Sequence, residues 1–285
     1  MIIHLSKDNI NSINLNVNNL VIGFFDGLHK GHKKLFKDLS GSISVLTFIN
    51  IPKKSEFLYP FEDRIEQLKK HFNVEHIFVF NVMELNMTAK EFIDFFLVKL
   101  QPNQIIVGSD FKFGSDQQCY QLLQNEFNLK IVERDVDYSS TNIRKLIKES
   151  RFDEANFQLL EPYYRSGKVI HSHKISRKIG FPTANIQNDE SLIKLEDGVY
   201  ISKTRLNDKE YLSTSFIGIP KTFENLTKPS FESYLIGYEG IEFYNQRIDI
   251  IFYKRIADVK KYNSINDLIE GIKSQVQETK EFFKK

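Results

Sequence analysis

The chain has no tryptophan and a single cysteine, and each shortage excludes something. One thiol, Cys119, cannot close an internal disulfide or build a cysteine-based metal site, so a small buried or partly buried thiol is expected there. No apolar run approaches the roughly 20 residues of a membrane span. The start, Met1-Ile2-Ile3-His4-Leu5-Ser6-Lys7, has no basic segment followed by an apolar core, which points to a cytoplasmic protein with no membrane partner. Charge of one sign is also missing. A net charge of +2 argues against nucleic acid as a partner but leaves local cations able to gather one anionic nucleotide. What remains is an ordinary globular composition, 41% hydrophobic and 27% charged. Its 285 residues, free of repeats and low-complexity segments, suit two units of roughly 100 to 200 residues, each with its own core.

The first half alternates short apolar runs with amphipathic stretches, the rhythm of a parallel sheet covered by helices. Strands are expected at 19–25, 43–49, 76–80, 104–108 and 129–133. Helices are expected at 61–68 and 89–96, the latter capped by Thr88. A helical stretch from about 142 to 160 ends at Glu161-Pro162, followed by Gly167, and the domain boundary is expected there, giving units 1–160 and 161–285. Beyond it, strands at 198–204, 231–236 and 248–253 fit a small antiparallel barrel, closed by a helix from about 265 to 283. The expected fold is therefore an α/β doubly wound, Rossmann-like domain followed by a small β-barrel with a C-terminal helix.

Residues 23 to 32 read Gly23-Phe24-Phe25-Asp26-Gly27-Leu28-His29-Lys30-Gly31-His32, after the apolar run Leu20-Val21-Ile22. A strand turning through glycines into a helix is a phosphate-binding arrangement. His29 and His32, three apart, can face one ligand as imidazole donors to a phosphoryl transition state. The motif resembles the nucleotidylyltransferase signature in the form carried by the adenylyltransferase half of bacterial bifunctional riboflavin kinase/FAD synthetases. That resemblance implies a nucleotide-binding role for Gly23, Phe24, Asp26, Gly27 and Gly31, with His29 and His32 catalytic.

Two further segments are similar to the same family. Ser139-Ser140-Thr141-Asn142-Ile143-Arg144-Lys145 puts Arg144 and Lys145 in the first turn of the expected helix, where cations oppose the macrodipole unless an anion sits there. The family resemblance assigns Ser139, Ser140, Thr141 and Arg144 to the ATP phosphates. Val107-Gly108-Ser109-Asp110-Phe111-Lys112-Phe113-Gly114 resembles the family's segment at the flavin, which implies Asp110, Phe111 and Phe113 as flavin-binding. One departure is Thr47-Phe48-Ile49-Asn50-Ile51-Pro52, where a polar contact of the family is absent or made by Asn50.

In the second half, Arg177-Lys178-Ile179-Gly180-Phe181-Pro182-Thr183-Ala184-Asn185 resembles the riboflavin kinase signature. Thr183 and Asn185, two apart on one face of an extended chain, can offer a hydroxyl and an amide oxygen to Mg²⁺. The resemblance implies Arg177 as nucleotide-binding, Glu232 in Phe231-Glu232-Ser233-Tyr234 as the catalytic base, and Thr222 as flavin-binding. Two departures stand here. The family's glycine-rich phosphate loop is His171-Ser172-His173-Lys174-Ile175-Ser176-Arg177, and its flavin segment is Phe216-Ile217-Gly218-Ile219-Pro220-Lys221-Thr222-Phe223. His171 and His173 have no nearby carboxylate or thiol and make a poor zinc site.

The resemblance runs through both halves in order. It implies a bifunctional enzyme with Mg²⁺ as cofactor and riboflavin, FMN and ATP as partners, yielding FMN and then FAD. Two alternatives stay open: a nucleotidylyltransferase acting on another phosphate monoester, and an adenylyltransferase whose kinase half is a weakened or regulatory flavin-binding module.

Overall fold

The computed structural model describes the chain except residues 53, 54, 172–174, 223–228, 241 and 285, with the backbone alone at 175 and 178. The chain divides into two compact units, Met1–Ser140 and Thr141–Lys285. The first is built on β1 (Ile2–His4), β2 (Asn19–Ile22), α1 (Lys30–Leu35), β3 (Ile43–Ile49), α2 (Phe61–His71), β4 (Val74–Asn81) and the short α3 (Val82–Leu85). A longer helical run follows as α4 (Ala89–Phe92), a π turn over Ile93–Leu97 and α5 (Val98–Leu100). Then come β5 (Gln104–Gly108), the hairpin β6 (Lys112–Phe113) and β7 (Gln118–Cys119), α6 (Gln121–Gln124) and β8 (Leu129–Val132).

Strand order in the main sheet is β1-β4-β3-β2-β5-β8, every pair parallel. Leu20, Val21, Ile22, Ile105, Ile106 and Val107 are at most 1% exposed, the continuous apolar run that a sheet covered on both faces demands. Chain order reverses between β2 and β5, so the loops after these two strands, 23–29 and 109–111, leave a topological switch point where ligands of such sheets bind.

The second unit contains α7 (Ser140–Lys148), which opens at the division, α8 (Phe152–Gln158), β9 (Tyr164–Ile170), the single turn α9 (Ile175–Lys178) and β10 (Thr183–Ile186). It continues with β11 (Gly198–Leu206), β12 (Lys209–Gly218), β13 (Ser230–Leu235), β14 (Arg247–Ala257) and α10 (Ile265–Phe282). The strands close a barrel in the order β10-β13-β12-β11-β14-β9, antiparallel throughout. Its interior is partly polar: Ser202, Thr204, Ser213, Ser215 and Ser233 are at most 1% exposed and satisfy one another at 2.7 to 3.1 Å. The Thr214 and Thr279 hydroxyls, 2.9 Å apart, pin α10 to β12.

Three expectations need correction. The single helix expected over 142–160 is two, because Ser150 adopts a left-handed φ of 57° and the N–H groups of Ser150 and Arg151 fold back on Ile147 O and Leu146 O. The break lets Phe152 enter a ring cluster with Tyr163, Tyr200 and Phe252. Because α7 starts at Ser140, Arg144 and Lys145 are its fifth and sixth residues, beyond the first turn, and the dipole argument for an anion does not apply to them. Cys119 is exposed on the hairpin, which has too few residues to cover it.

Phe152 is 1% exposed and its ring centroid lies 5.7 Å from those of both Tyr200 and Phe252. Phe152→Ala should therefore lower the unfolding free energy of the second unit by about 3–5 kcal/mol in urea titrations. A loss below about 1 kcal/mol would mean that α8 is not part of the barrel core.

Candidate active sites

β2 ends at Ile22, short of the expected 25, because Gly23 begins a turn in which Phe25 takes a φ of 57° and Gly27 one of 74°. The turn is held from below. Asp26 is 1% exposed, and its Oδ1 accepts the N–H groups of Leu58 (2.9 Å) and Tyr59 (3.3 Å), so it clamps the loop rather than presenting its carboxylate to solvent. Arg64, 4% exposed, donates to Phe24 O at 2.6 Å and Phe48 O at 3.2 Å, with its guanidinium 4.2 Å from the Phe24 ring. Burial pulls its pKa down to about 10, opposed by the Asp26 carboxylate. Arg64 is a loop-shaping residue that sequence reading missed; its signal, a cation on the inner face of an amphipathic helix, is not distinctive.

His29 and His32 cap α1 reciprocally. His29 Nδ1 accepts the His32 N–H at 3.3 Å, His32 Nδ1 accepts the His29 N–H at 3.4 Å, and the rings stack 3.7 Å apart. An Nδ1 that accepts carries no hydrogen, so each ring in its neutral form carries its hydrogen on Nε2. Burial holds the pKa of His29 down to about 4, reinforced by Arg134 and opposed by Asp135. Gly31 permits this stacking: a Cβ there would meet the His29 ring at 3.0 Å and Tyr138 O at 3.1 Å.

After β5, Asp110 pairs with Arg134 at 2.8 Å and is exposed. Phe113 is 4% exposed in the core against Phe92, and the half-buried Phe111 stacks on it at 5.4 Å. Asn50 turns to Asn81, whose Oδ1 accepts from its Nδ2 at 3.2 Å. Ser139 precedes α7 and Ser140 opens it; Thr141 is exposed and accepts from Arg144 Nη2 at 3.3 Å.

In the barrel, the pairing of β10 with β13 sets Asn185 opposite Glu232 and Thr183 opposite Tyr234. Thr183 Oγ1 donates to Glu232 Oε2 at 3.0 Å and accepts from Asn185 Nδ2 at 3.2 Å. That relay fixes the amide, leaving Asn185 Oδ1 buried and, among the described residues, without a partner. An orphaned amide oxygen beside a hydroxyl and a carboxylate is the all-oxygen donor set that suits Mg²⁺. These groups line a cavity of about 990 Å³ that also includes Arg177, Phe181, Thr222 and Tyr244. Arg177 is ion-paired with Glu242, and Thr222 Oγ1 accepts the Tyr262 N–H at 3.3 Å. His171 stacks on Tyr244 at 3.7 Å, while residues 172–174 of the glycine-poor segment, His173 included, and Phe223 lie outside the described residues.

Two serines on Glu232 were not legible as functional. Ser230 Oγ lies 2.9 Å from Oε1 and Ser176 Oγ 3.4 Å from Oε2. For Ser230 a signal existed, since residues two apart on a strand share a face.

His29 stays neutral in the fold but charges in the unfolded chain, so its contribution is complete above the unfolded value of 6.5 and is lost as pH falls toward about 4. Urea titrations of the wild type and His29→Gln from pH 7 to 4 should show the wild type losing up to about 3 kcal/mol more than the variant. Parallel curves would contradict the buried neutral ring.

Family models match in both units: a FAD synthetase model over residues 13–145 and a riboflavin kinase model over residues 159–283. The trifunctional protein RibF/MnmA of Mycoplasmoides gallisepticum is 42% identical over the whole of this chain, which spans 43% of that protein. The bifunctional riboflavin kinase/FMN adenylyltransferase of Mycoplasma pneumoniae is 34% identical, covering 93% of this chain and 97% of its own length. A crystal structure of a macrolide-efflux protein from Streptococcus pneumoniae superimposes with a TM-score of 0.82 and 27% identity over 98% of each chain. Two signatures in order, each in its own fold, and full-length relatives above 30% identity agree: the chain belongs to the bifunctional riboflavin kinase/FMN adenylyltransferase family.

Proposed function

We propose that the barrel phosphorylates riboflavin with Glu232 as general base, and that the parallel-sheet unit adenylylates the product with His29 and His32 as phosphate donors. The enzyme's two reactions are riboflavin with ATP to FMN and ADP, then FMN with a second ATP to FAD and pyrophosphate. The observation that carries the reading is the Asn185–Thr183–Glu232 relay, with its orphaned amide oxygen, on the wall of a cavity large enough for a flavin. It also favours a working kinase over a regulatory flavin module, because a decayed site has no cause to keep three groups in mutual register.

In the kinase reaction Glu232 takes the proton of the ribityl hydroxyl as that oxygen attacks the γ-phosphorus and ADP leaves. Thr183 and Asn185 would hold Mg²⁺, which neutralises charge on the transferring phosphoryl group. Arg177 exchanges Glu242 for the ATP phosphates, and Thr222 borders the flavin. The altered sequence at 171–177 then affects ATP affinity more than chemistry, since no group that touches proton or metal has changed.

In the adenylyl reaction the FMN phosphate attacks the α-phosphorus of ATP and pyrophosphate departs. The Nε2 hydrogens of His29 and His32 donate to oxygens that gain charge. Gly23, Phe24, Gly27 and Gly31 shape the nucleotide loop, and Asp26 holds it. Ser139, Ser140, Thr141 and Arg144 serve the phosphates on the strength of their motif, and Asp110 and Phe111 border the flavin with Phe113 behind. We place the functional boundary at 160/161 and the enzyme in the cytoplasm. Among the described residues no helix is long and apolar enough to cross a membrane.

The two assignments separate in one assay. Glu232→Gln should retain flavin and MgATP binding while FMN formation falls by roughly two to four orders of magnitude, with FAD synthesis from supplied FMN intact. His32→Ala should do the reverse, losing FAD synthesis by on the order of 3 kcal/mol in barrier and keeping FMN formation. A folded variant that loses both activities would refute the division.

A further inference from the structure

A carboxylate offers about four lone-pair sites on its two oxygens. On Glu232, among the described residues, Oε2 faces two hydroxyls, Thr183 at 3.0 Å and Ser176 at 3.4 Å, whereas Oε1 faces only Ser230, at 2.9 Å. Among the described residues the second lone pair of Oε1 has no donor. Ser230 has one alternative acceptor, Gly218 O at 3.4 Å, but the nearer and charged oxygen takes its hydrogen. Glu232 and Ser230 share one face of β13, two residues apart, so the hydroxyl is carried on the same rigid strand as the group it touches.

We propose that Ser230 is a positioning residue for phosphoryl transfer: by binding one lone pair of Glu232 Oε1, it directs the other at the hydroxyl of riboflavin. The proposal rests on Glu232 as the base. In the step, the ribityl O–H bond breaks and its proton passes to Oε1, the oxygen bonds to the γ-phosphorus, and the bond from that phosphorus to the bridging oxygen breaks to release ADP. Ser230 keeps its own hydrogen throughout. A base aimed by a fixed donor needs no reorganisation when the substrate arrives, and its loss appears in turnover rather than in binding.

The test compares Ser230→Ala, Ser230→Thr and Glu232→Gln in the full-length enzyme, with riboflavin, ATP and Mg²⁺ as reactants and FMN formation as the signal. Ser230→Ala should lower kcat about tenfold, the usual effect of one hydrogen bond to a charged group, with KM for riboflavin and for ATP within about twofold of wild type. Ser230→Thr keeps the hydroxyl and should restore kcat. The melting temperature reports that the barrel of each variant is folded, and adenylylation of supplied FMN that the other unit is unchanged. A Ser230→Ala enzyme with wild-type kcat, or one whose defect lies in KM or persists in Ser230→Thr, overturns the proposal. If Glu232→Gln itself turns over normally, the reading of the base has failed, and the Ser230 proposal with it. If only Glu232→Gln is impaired, the base stands and Ser230 does not position it.

Discussion

A one-residue slip between β10 and β13 would turn Asn185 or Glu232 to the opposite face of the barrel wall, because side chains alternate strictly along a strand. The observed register, Asn185 opposite Glu232, is therefore the constraint on which the kinase half depends. Barrel closure holds it: β13 is paired with β12 as well, through Glu232 opposite Phe216, so neither neighbour can slide alone. The hydroxyl-lined interior on the other face of β13, where Ser233 meets Thr204 and Ser215, penalises a slip further by leaving buried polar groups unsatisfied.

The parallel-sheet unit solves the same problem, aiming polar groups without freedom to turn, with backbone instead of register. Each histidine of the pair accepts an N–H from the other's backbone, so ring orientation and tautomer are set together by the first turn of α1. Burial then keeps His29 uncharged. Both units thus satisfy one end of a functional side chain inside the protein and leave the other end for substrate.

Much of this was legible in the sequence because the decisive features are local. Glycine spacing at 23, 27 and 31, and the Thr183 to Asn185 alternation, each constrain a few adjacent residues, and the βαβ rhythm marks the parallel sheet. What was not legible depends on distant partners. That Asp26 turns inward to Leu58 and Tyr59, or that Arg64 reaches Phe24 across the sheet edge, follows only from chain crossing. The dipole argument at Arg144 does not hold because the helix starts at Ser140, two residues before the expected Asn142, and one turn decides which residues feel the dipole. Composition alone points to a buried or partly buried Cys119, yet its two-residue strand leaves it exposed on a hairpin. Ser230 carries no distinctive signal, because serine on a strand is unremarkable until its neighbour is known to be charged and partly enclosed.

Two sites on one chain use two ATP molecules in different ways. This is tested most directly by following label from ATP into flavin with purified protein, riboflavin and Mg²⁺, separating FMN from FAD by chromatography. Label in the γ-phosphate should enter FMN and persist in FAD, and label in the α-phosphate should enter FAD alone. Failure of γ-label to enter FMN, with α-label still entering FAD from supplied FMN, would contradict the account and leave the barrel as a flavin-binding module.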